Sequence, residues 1–585
     1  MFLPSTSADL QTRGWDALDV ILVTGDAYID TPHAGAALIG RTLEAAGFRV
    51  GIIAQPDLQD PRDISRLGAP RLFWGVTAGC VDSMVANYTA TGRKRREDDF
   101  TPGGQNNRRP DRASIQYANL IRRAFRPCAP IVLGGIEASL RRIAHYDFWS
   151  DTIRKSILFD AKADLLVYGM ADQTVVELAR RIQQGKDWHD LRGICFAANT
   201  APADAVQLPP FCDVAAPSQR LLAATGTPPA NNPASAFLEM FRLFAANQDP
   251  VTARPLAQQF DNRWLVHQPP APPPEPAVLD QIYNLPFELD VHPHDAARGP
   301  VRALDTIRFS ITTHRGCYGE CAFCAIAMHQ GRRVVSRSAD SIVAEAQRFT
   351  RHPKFRGIIA DVGGPTANMY GFACARKATR GACPDRRCLF PEVCRQLPVN
   401  HKPQTVLLQR LRALPGVRKA FVASGLRHDL VLADREHGPG YLDELVAHHV
   451  SGQLKLAPEH SDPAVLKLMG KPGVEKLLTF RARFEEANQR HRLKQFLTYY
   501  FIAAHPGCSE VHMQSLRQFA ARELHLAPEQ VQVFTPTPST WSTAMYWSER
   551  DPTTGDAIFV EKGARGKQTQ KESLTGPADR THHRP

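Results

Sequence analysis

Between residue 305 and residue 534, short apolar runs alternate with amphipathic segments so regularly that few folds remain open. The apolar runs are Asp305–Thr312, Gly357–Val362, Lys419–Ser424, Gln453–Ala457, Phe496–Ala503 and Val531–Phe534. The segments between them read as helices: Asp340–Thr350, Thr405–Leu414, Tyr441–Val450, Pro463–Arg490 (broken near Lys471-Pro472-Gly473) and Ser509–Leu524. In the first of these, Ile342, Val343, Ala346 and Phe349 share one face, the spacing a core-facing helix needs. Strands that alternate with helices build a parallel sheet. Six strands fall short of the eight that close a barrel, so a partial (β/α)6 barrel is expected.

The N-terminal half opens as a second α/β unit. Leu18 to Asp26 is an apolar strand ending in a Gly-Asp turn, an amphipathic segment covers Ala36 to Ala46, and Val50 to Ala54 is the next strand. Further strands read at Arg71–Val76, Ile131–Leu133 and Leu165–Tyr168. Gly134-Gly135-Ile136-Glu137 and Gly169 follow the last two, where a doubly wound sheet places ligands and where ordinary turns also need glycine. From Gln268 to Pro276 the chain is too rich in proline for a helix or a central strand, so it reads as an extended connector. The expected organisation is a Rossmann-like domain over 1–267, a Pro-rich linker over 268–301 and the barrel over 302–562. A Cys-rich insertion interrupts the barrel at 370–400, and 563–585 reads as a disordered basic tail.

Composition sets bounds on function. No apolar run approaches the roughly 18–20 residues of a membrane span. Asp9, Arg13, Asp16 and Asp19 interrupt the stretch where a signal peptide would be apolar. The expectation is a cytoplasmic enzyme with no membrane partner. The net charge of +12 is partly local: the tail carries Arg565, Lys567, Lys571, Arg580 and Arg584 against Glu572 and Asp579. The remaining excess permits an RNA partner without requiring one. The Arg93-Lys94-Arg95-Arg96 run is followed at once by Glu97, Asp98 and Asp99 and reads as a solvated loop.

The twelve cysteines are unevenly placed. Cys80, Cys128, Cys195, Cys212 and Cys508 are scattered and read as small buried hydrophobes. The others form two groups: Cys317, Cys321 and Cys324, then Cys374, Cys383, Cys388 and Cys394. The first group leaves the first barrel strand as Thr313-His314-Arg315-Gly316-Cys317-Tyr318-Gly319-Glu320-Cys321-Ala322-Phe323-Cys324. Structural zinc takes four closed ligands, and an iron–sulfur cluster prefers four thiolates, so three close cysteines leave one iron free for another ligand. His314 and Arg315 are expected to set positive charge beside the sulfurs.

This spacing, with an aromatic before the third cysteine (Phe323), resembles the radical S-adenosylmethionine (radical SAM) superfamily. The resemblance implies that the three thiolates hold a 4Fe-4S cluster whose free iron chelates S-adenosylmethionine. One-electron reduction would then cleave the sulfonium to a 5′-deoxyadenosyl radical that abstracts hydrogen from a substrate. Asp361-Val362-Gly363-Gly364-Pro365-Thr366 stands where the superfamily has a Gly-Gly-Glu that meets the methionine amine. With Pro365 at the acidic position, only Gly363, Gly364 and Thr366 carry over. Ser424 or Glu459 is a candidate for the ribose hydroxyls and Lys455 for the carboxylate, although strand-end polar residues are also ordinary caps.

Over most of the chain the sequence resembles the YgiQ-type radical SAM proteins, through Gly51–Asp57, Gly134–Ser139, His329–Arg332, Leu456–His460, Thr537–Thr540 and Met545-Tyr546. Related enzymes often carry a cobalamin domain before the barrel, and the N-terminal domain looks like that fold. The Asp-x-His-x-x-Gly that ligates cobalt is missing, because His33 lies only two residues before Gly35, so cobalamin is not expected. The second cysteine group offers four soft ligands for zinc or an auxiliary iron–sulfur cluster, with burial in an insertion as the alternative. A radical SAM methyltransferase or methylthiotransferase acting on RNA or protein is one rival reading. A zinc-stabilised nucleic-acid-binding module without catalysis is the other. A flavodoxin or ferredoxin is the reductant the superfamily implies.

Overall fold

The computed structural model describes residues 1–215, 233–384, 386–528 and 531–575. The N-terminal half is built on a nine-stranded sheet. Its strands in chain order are β1 (Val20–Thr24), β2 (Val50–Ala54), β3 (Phe73–Thr77), β4 (Ile131–Leu133), β5 (Leu165–Val167), β6 (Ile194–Ala198), β7 (Val206–Leu208), β8 (Leu256–Phe260) and β9 (Arg263–His267). They lie in the order β2-β1-β3-β4-β5-β6-β9-β8-β7. The first five are parallel, as the opening strand–helix–strand pattern requires. β6 and β9 then run antiparallel to their neighbours, a sheet extension the sequence reading did not contain. β1 and β2 are buried along their whole length, as expected of strands covered on both faces.

In the C-terminal half the parallel pairings run in sequence order. Ser310–Thr312 pairs with Asp361–Gly363, and Ile358–Ile359 pairs with Lys419–Ala420. A parallel bridge from Leu426 to Leu456 leads to Gln453–Glu459, which pairs with Phe496–Ala503 and through it with Val531–Val533. Among the described residues the last strand does not pair with the first, which gives an open six-stranded α/β barrel. Helix Ala339–Arg351 buries Ile342, Ala346 and Phe349, the face read from the sequence. The break at Lys471-Pro472-Gly473 separates helix Pro463–Met469 from helix Val474–His491.

Three expectations are corrected. The start of the first barrel strand is instead a helix, Ala303–Ile307, because Ala303 and Leu304 are drawn into the apolar core beneath the N-terminal sheet. The linker expected over 268–301 is free of helix and strand only as far as Glu275, where helix Pro276–Tyr283 begins; Gly193 N donates to Pro269 O at 2.8 Å, and the helix is bound to the barrel by Arg348 Nη2 donating to Tyr283 O at 2.8 Å. The tail holds a helix, Ala564–Thr575, with Lys567, Gln570 and Leu574 buried. Gln570 accepts from Ala504 N and donates to Cys508 O. That buried face carries only one apolar side chain, so hydrophobic periodicity could not announce it. Arg580, Arg584 and Asp579 lie outside the described residues. No helix of the described residues is long and apolar enough to cross a membrane.

Lys567 offers a test of this packing. Its ammonium donates to Tyr546 Oη at 2.9 Å, and burial lowers its pKa from 10.5 to about 8. Between those two values the unfolded chain retains a proton that the folded chain has released, so this group makes stability rise with pH across the window. Urea denaturation of wild type and Lys567→Met should give a stability difference that climbs in favour of wild type from pH 8 to pH 10. A flat difference would contradict the buried helix.

Candidate functional site

The three clustered cysteines sit on the loop between strand Ser310–Thr312 and the short helix Ile326–Gln330. Backbone bonds fix the loop: Cys317 N donates to Gly331 O, Ala322 N to Met469 O, and Cys324 N to Cys321 O. Gly319 N donates to Cys317 Sγ at 3.3 Å. A Cβ on Gly319 would stand 3.2 Å from Cys317 Sγ and 3.6 Å from Cys321 Sγ, so a side chain there would crowd both sulfurs. Burial raises the thiols of Cys317 and Cys324, the latter to about 12, and the neighbouring sulfurs push the same way. Three thiolates held this near each other need a cationic centre. Among the described residues no three or more His, Cys, Asp or Glu side chains converge as a site for one metal ion. A multi-iron cluster asks for something else, since each thiolate meets its own iron. The donor set, a glycine at 319 that keeps a side chain away from two of the sulfurs, and a nearby positive charge fit such a cluster.

That charge comes from a residue the sequence did not single out. Arg427 Nη1 lies 3.7 Å from Cys321 Sγ, and its guanidinium grips Asp429 through two bonds of 2.8 and 2.6 Å. The pair holds the Asp429 carboxyl well below the usual carboxylate range although burial opposes it. The expectation for His314 and Arg315 is corrected. Arg315 turns away from the sulfurs to a buried ion pair with Asp172 at 2.6 Å and to Tyr283 Oη at 3.2 Å. His314 is fully buried, and burial lowers its pKa to about 4, so it brings no charge.

A cavity of about 560 Å³ lies between the carboxyl ends of β1, β3, β4 and β5 and the first strands of the barrel. Gly363, Gly364 and Ser424 line it, while Thr366, Lys455, Glu459 and Phe323 do not. Thr366 Oγ1 is instead 3.7 Å from Cys317 Sγ. The Gly363 carbonyl is taken by Thr313, from its N–H at 2.7 Å and its hydroxyl at 3.1 Å. The Ser424 hydroxyl donates to Asp361. Glu459 pairs with Lys471 at 3.5 Å, and Lys455 lies mid-strand opposite Thr498. Phe323 packs edge-on against His505. Gly134 and Gly135 reach the cavity, but Glu137 is held by Ser83 and Ser114.

The second cysteine group packs on the back of the cluster loop. Cys374, Cys388 and Cys394 surround the same apolar cluster as Cys317 and Tyr318, and Cys383 is not among them. Cys374 Sγ caps its helix through Lys377 N at 3.4 Å, and Lys377 Nζ donates to Cys388 Sγ at 3.4 Å and to Glu320 Oε1 at 2.9 Å. Of the scattered cysteines, Cys195 and Cys508 are buried as expected, but Cys212 is exposed and Cys80 lines the cavity.

A family model described as Radical SAM N-terminal matches residues 2–310, and one described as Radical SAM superfamily matches residues 311–520. The chain belongs to the radical SAM superfamily. Relatives named UPF0313 protein match it almost end to end. One from Fusobacterium nucleatum is 50% identical over 98% of each chain, and one from Thermotoga maritima is 47% identical over 98% of each. Among solved structures the fold is similar to TsrM of Kitasatospora setae with cobalamin and a [4Fe-4S] cluster bound. The TM-score is 0.48 at 16% identity, covering 89% of this chain and 77% of that one. It is also similar to OxsB with aqua-cobalamin and S-adenosylmethionine bound, with a TM-score of 0.48 at 11% identity, covering 91% and 56%. This radical SAM chain is therefore an enzyme, and the reading as a non-catalytic zinc module is overturned by the family it belongs to.

The Arg315–Asp172 pair ties the cluster loop of this enzyme to the N-terminal sheet. Removing one partner of a buried pair costs roughly 3–5 kcal/mol, because the other charge is stranded. Asp172→Ala should lose about that much in urea denaturation, and Arg315→Met with Asp172→Leu distinctly less. Equal losses in both would mean that the pair is not buried as a unit.

Proposed function

We propose that the enzyme holds a 4Fe-4S cluster on Cys317, Cys321 and Cys324 and cleaves S-adenosylmethionine reductively, acting on a substrate held in the cavity between barrel and N-terminal sheet. The observation that carries this reading is the approach of the Cys317 and Cys321 sulfurs to Gly319, with the Arg427 guanidinium against Cys321 and Cys324 on the same loop. When bound, the cluster and S-adenosylmethionine supply the one-electron chemistry that yields methionine and a 5′-deoxyadenosyl radical. The chain's own residues then have distinct tasks. The loop bonds at Cys317, Ala322 and Cys324 orient the thiols, and Arg427 offsets the negative charge that gathers on the sulfurs. Of the strand-end candidates, Gly364 and Ser424 face the cavity and are the ones we assign to S-adenosylmethionine. The apolar walls and the N-terminal sheet keep water from the reacting atoms.

We take a flavodoxin or ferredoxin as the electron donor. Cys374, Cys388 and Cys394 we read as packing and capping residues, since their sulfurs are already engaged by Lys377 and the apolar cluster. Cobalamin is left out of the reading: the cobalt-ligating motif is incomplete, and His33 Nε2 lies 3.3 Å from Thr312 Oγ1. Transfer of a methyl or methylthio group to RNA or protein is not favoured by any contact of the site.

Anaerobically prepared wild type with dithionite should form 5′-deoxyadenosine, and Cys317→Ala should form none. Cys374→Ala should keep the wild-type iron content. Replacing Arg427 and Asp429 together by Gln and Asn removes the pair without stranding a charge, and should lower the cluster's reduction potential by an amount readable in a redox titration. Iron lost in Cys374→Ala would instead support a second metal centre. An unchanged potential would remove Arg427 from the cluster's surroundings.

A further inference from the structure

The walls of the cavity constrain what it can hold. Thr24, Thr77 and Thr312 and the glycines after the strands form its rim, and from there it runs under the N-terminal sheet. Leu22, Gly75 and Val132 stand side by side in register across β1, β3 and β4 and therefore point to one face of the sheet. Phe73 and Val167 share that face. Ala37 and Leu38 of helix Gly35–Ala45 and Val175 of helix Asp172–Gln183 close the space from the other side. In the row Leu22–Gly75–Val132 only the middle position lacks a side chain. A Cβ at Gly75 would come within 2.6 Å of Leu22 Cδ2, so the Leu22 side chain lies over the glycine, and any side chain added at 75 would have to push it aside at the cavity wall.

Each ionised group on the wall already has its partner within the protein. Arg315 is paired with Asp172. Asp26 is paired with Arg109 at 2.7 Å and accepts from Cys80 N. Asp361 accepts from Ala423 N, Ser424 N and the Ser424 hydroxyl. Five further titratable groups on the wall are uncharged near neutral pH. Burial lowers His33, His314 and His329 to about 4 and raises Cys80 and Tyr28. His33 Nδ1 is buried on this wall without a hydrogen-bond partner, so a neutral polar group remains for a ligand. A charged ligand entering the sheet end would find no free countercharge, and its desolvation would be uncompensated.

We infer that the sheet end of the cavity takes an uncharged, largely apolar small molecule whose apolar end lies against the wall formed by Leu22, Gly75 and Val132 and whose polar group meets the neutral imidazole of His33. What becomes of that molecule rests on the radical SAM reading of the barrel end; its selection does not. A polyanion such as RNA is disfavoured by the same walls.

Three probes on one carbon skeleton separate size from charge: 2-naphthalenemethanol, 2-naphthoate and 2-naphthylmethylammonium. In calorimetry with the cluster-loaded enzyme and S-adenosylmethionine, the alcohol should bind once per chain, at least about tenfold tighter than either ion. Gly75→Leu should weaken the alcohol at least about tenfold, and the milder Gly75→Ala measurably, with wild-type iron content showing that each variant is folded. An ion binding as tightly as the alcohol would overturn the inference. So would an alcohol that does not bind, or an affinity indifferent to both Gly75 variants. Tighter binding of a short single-stranded RNA, falling steeply with salt, would also overturn it and identify a nucleic-acid partner. Cleavage of S-adenosylmethionine by the same wild-type preparation is read separately. If cleavage fails while the alcohol preference holds, the radical reading falls and the inference about the apolar end of the cavity stands.

Discussion

The buried pair of Arg315 and Asp172 joins the two halves of the molecule at the point where chemistry is expected. Arg315 enters the cysteine loop, Asp172 opens a helix of the N-terminal domain, and Tyr283, from the helix after the proline-rich connector, completes the contact. Three stretches far apart in sequence are thus fixed to one guanidinium. Such a pair gains little net stability over an apolar contact, but breaking it is costly, so it acts mainly on register. It sets where the cysteine loop stands relative to the sheet, and it forms a wall of the cavity between them. Further contacts hold the same arrangement, including Ser539 Oγ donating to Leu140 O and Trp541 packed against Phe241.

Because Arg315 is spent on that junction, the charge beside the sulfurs has to come from elsewhere. Arg427 supplies it from the loop after the third barrel strand, with Asp429 holding the guanidinium in place. A similar division runs through the neighbouring insertion, where Lys377 bridges Glu320 of the cysteine loop and the sulfur of Cys388. The cysteine loop is thereby supported by one arginine against its sulfurs and by one lysine behind it. Among the described residues the carboxylates and the arginine of the cavity wall have ionic or hydrogen-bonding partners within the protein.

Much of this architecture was legible in the sequence, for physical reasons that also mark the limits. The barrel strands announced themselves as short apolar-rich runs spaced by helical segments, and helix Ala339–Arg351 did so by its apolar stripe. The three cysteines were legible because thiols at that spacing have few other uses. The helix Ala564–Thr575 was not, because it buries Lys567 and Gln570 in place of apolar residues. β6 to β9 were passed over because they depart from the strand–helix alternation, and β7 to β9 mix polar with apolar residues as loops do. The roles of single residues were hardest to read. A strand-end position identifies Gly363, yet only the fold shows that Thr313 occupies its carbonyl. Arg315 stands beside Cys317 in the chain and Arg427 far beyond it, yet the distant arginine is the one that reaches a sulfur. Sequence neighbourhood gives a side chain no direction.

The central claim is that Cys317, Cys321 and Cys324 hold one cluster with an iron left open to S-adenosylmethionine. Electron paramagnetic resonance of the anaerobically reduced enzyme, with and without S-adenosylmethionine, tests it most directly. The expected result is a single 4Fe-4S signal whose g-values shift when S-adenosylmethionine is added, and its loss in Cys321→Ala. A cluster signal that ignores S-adenosylmethionine, or survives without Cys321, would contradict the account.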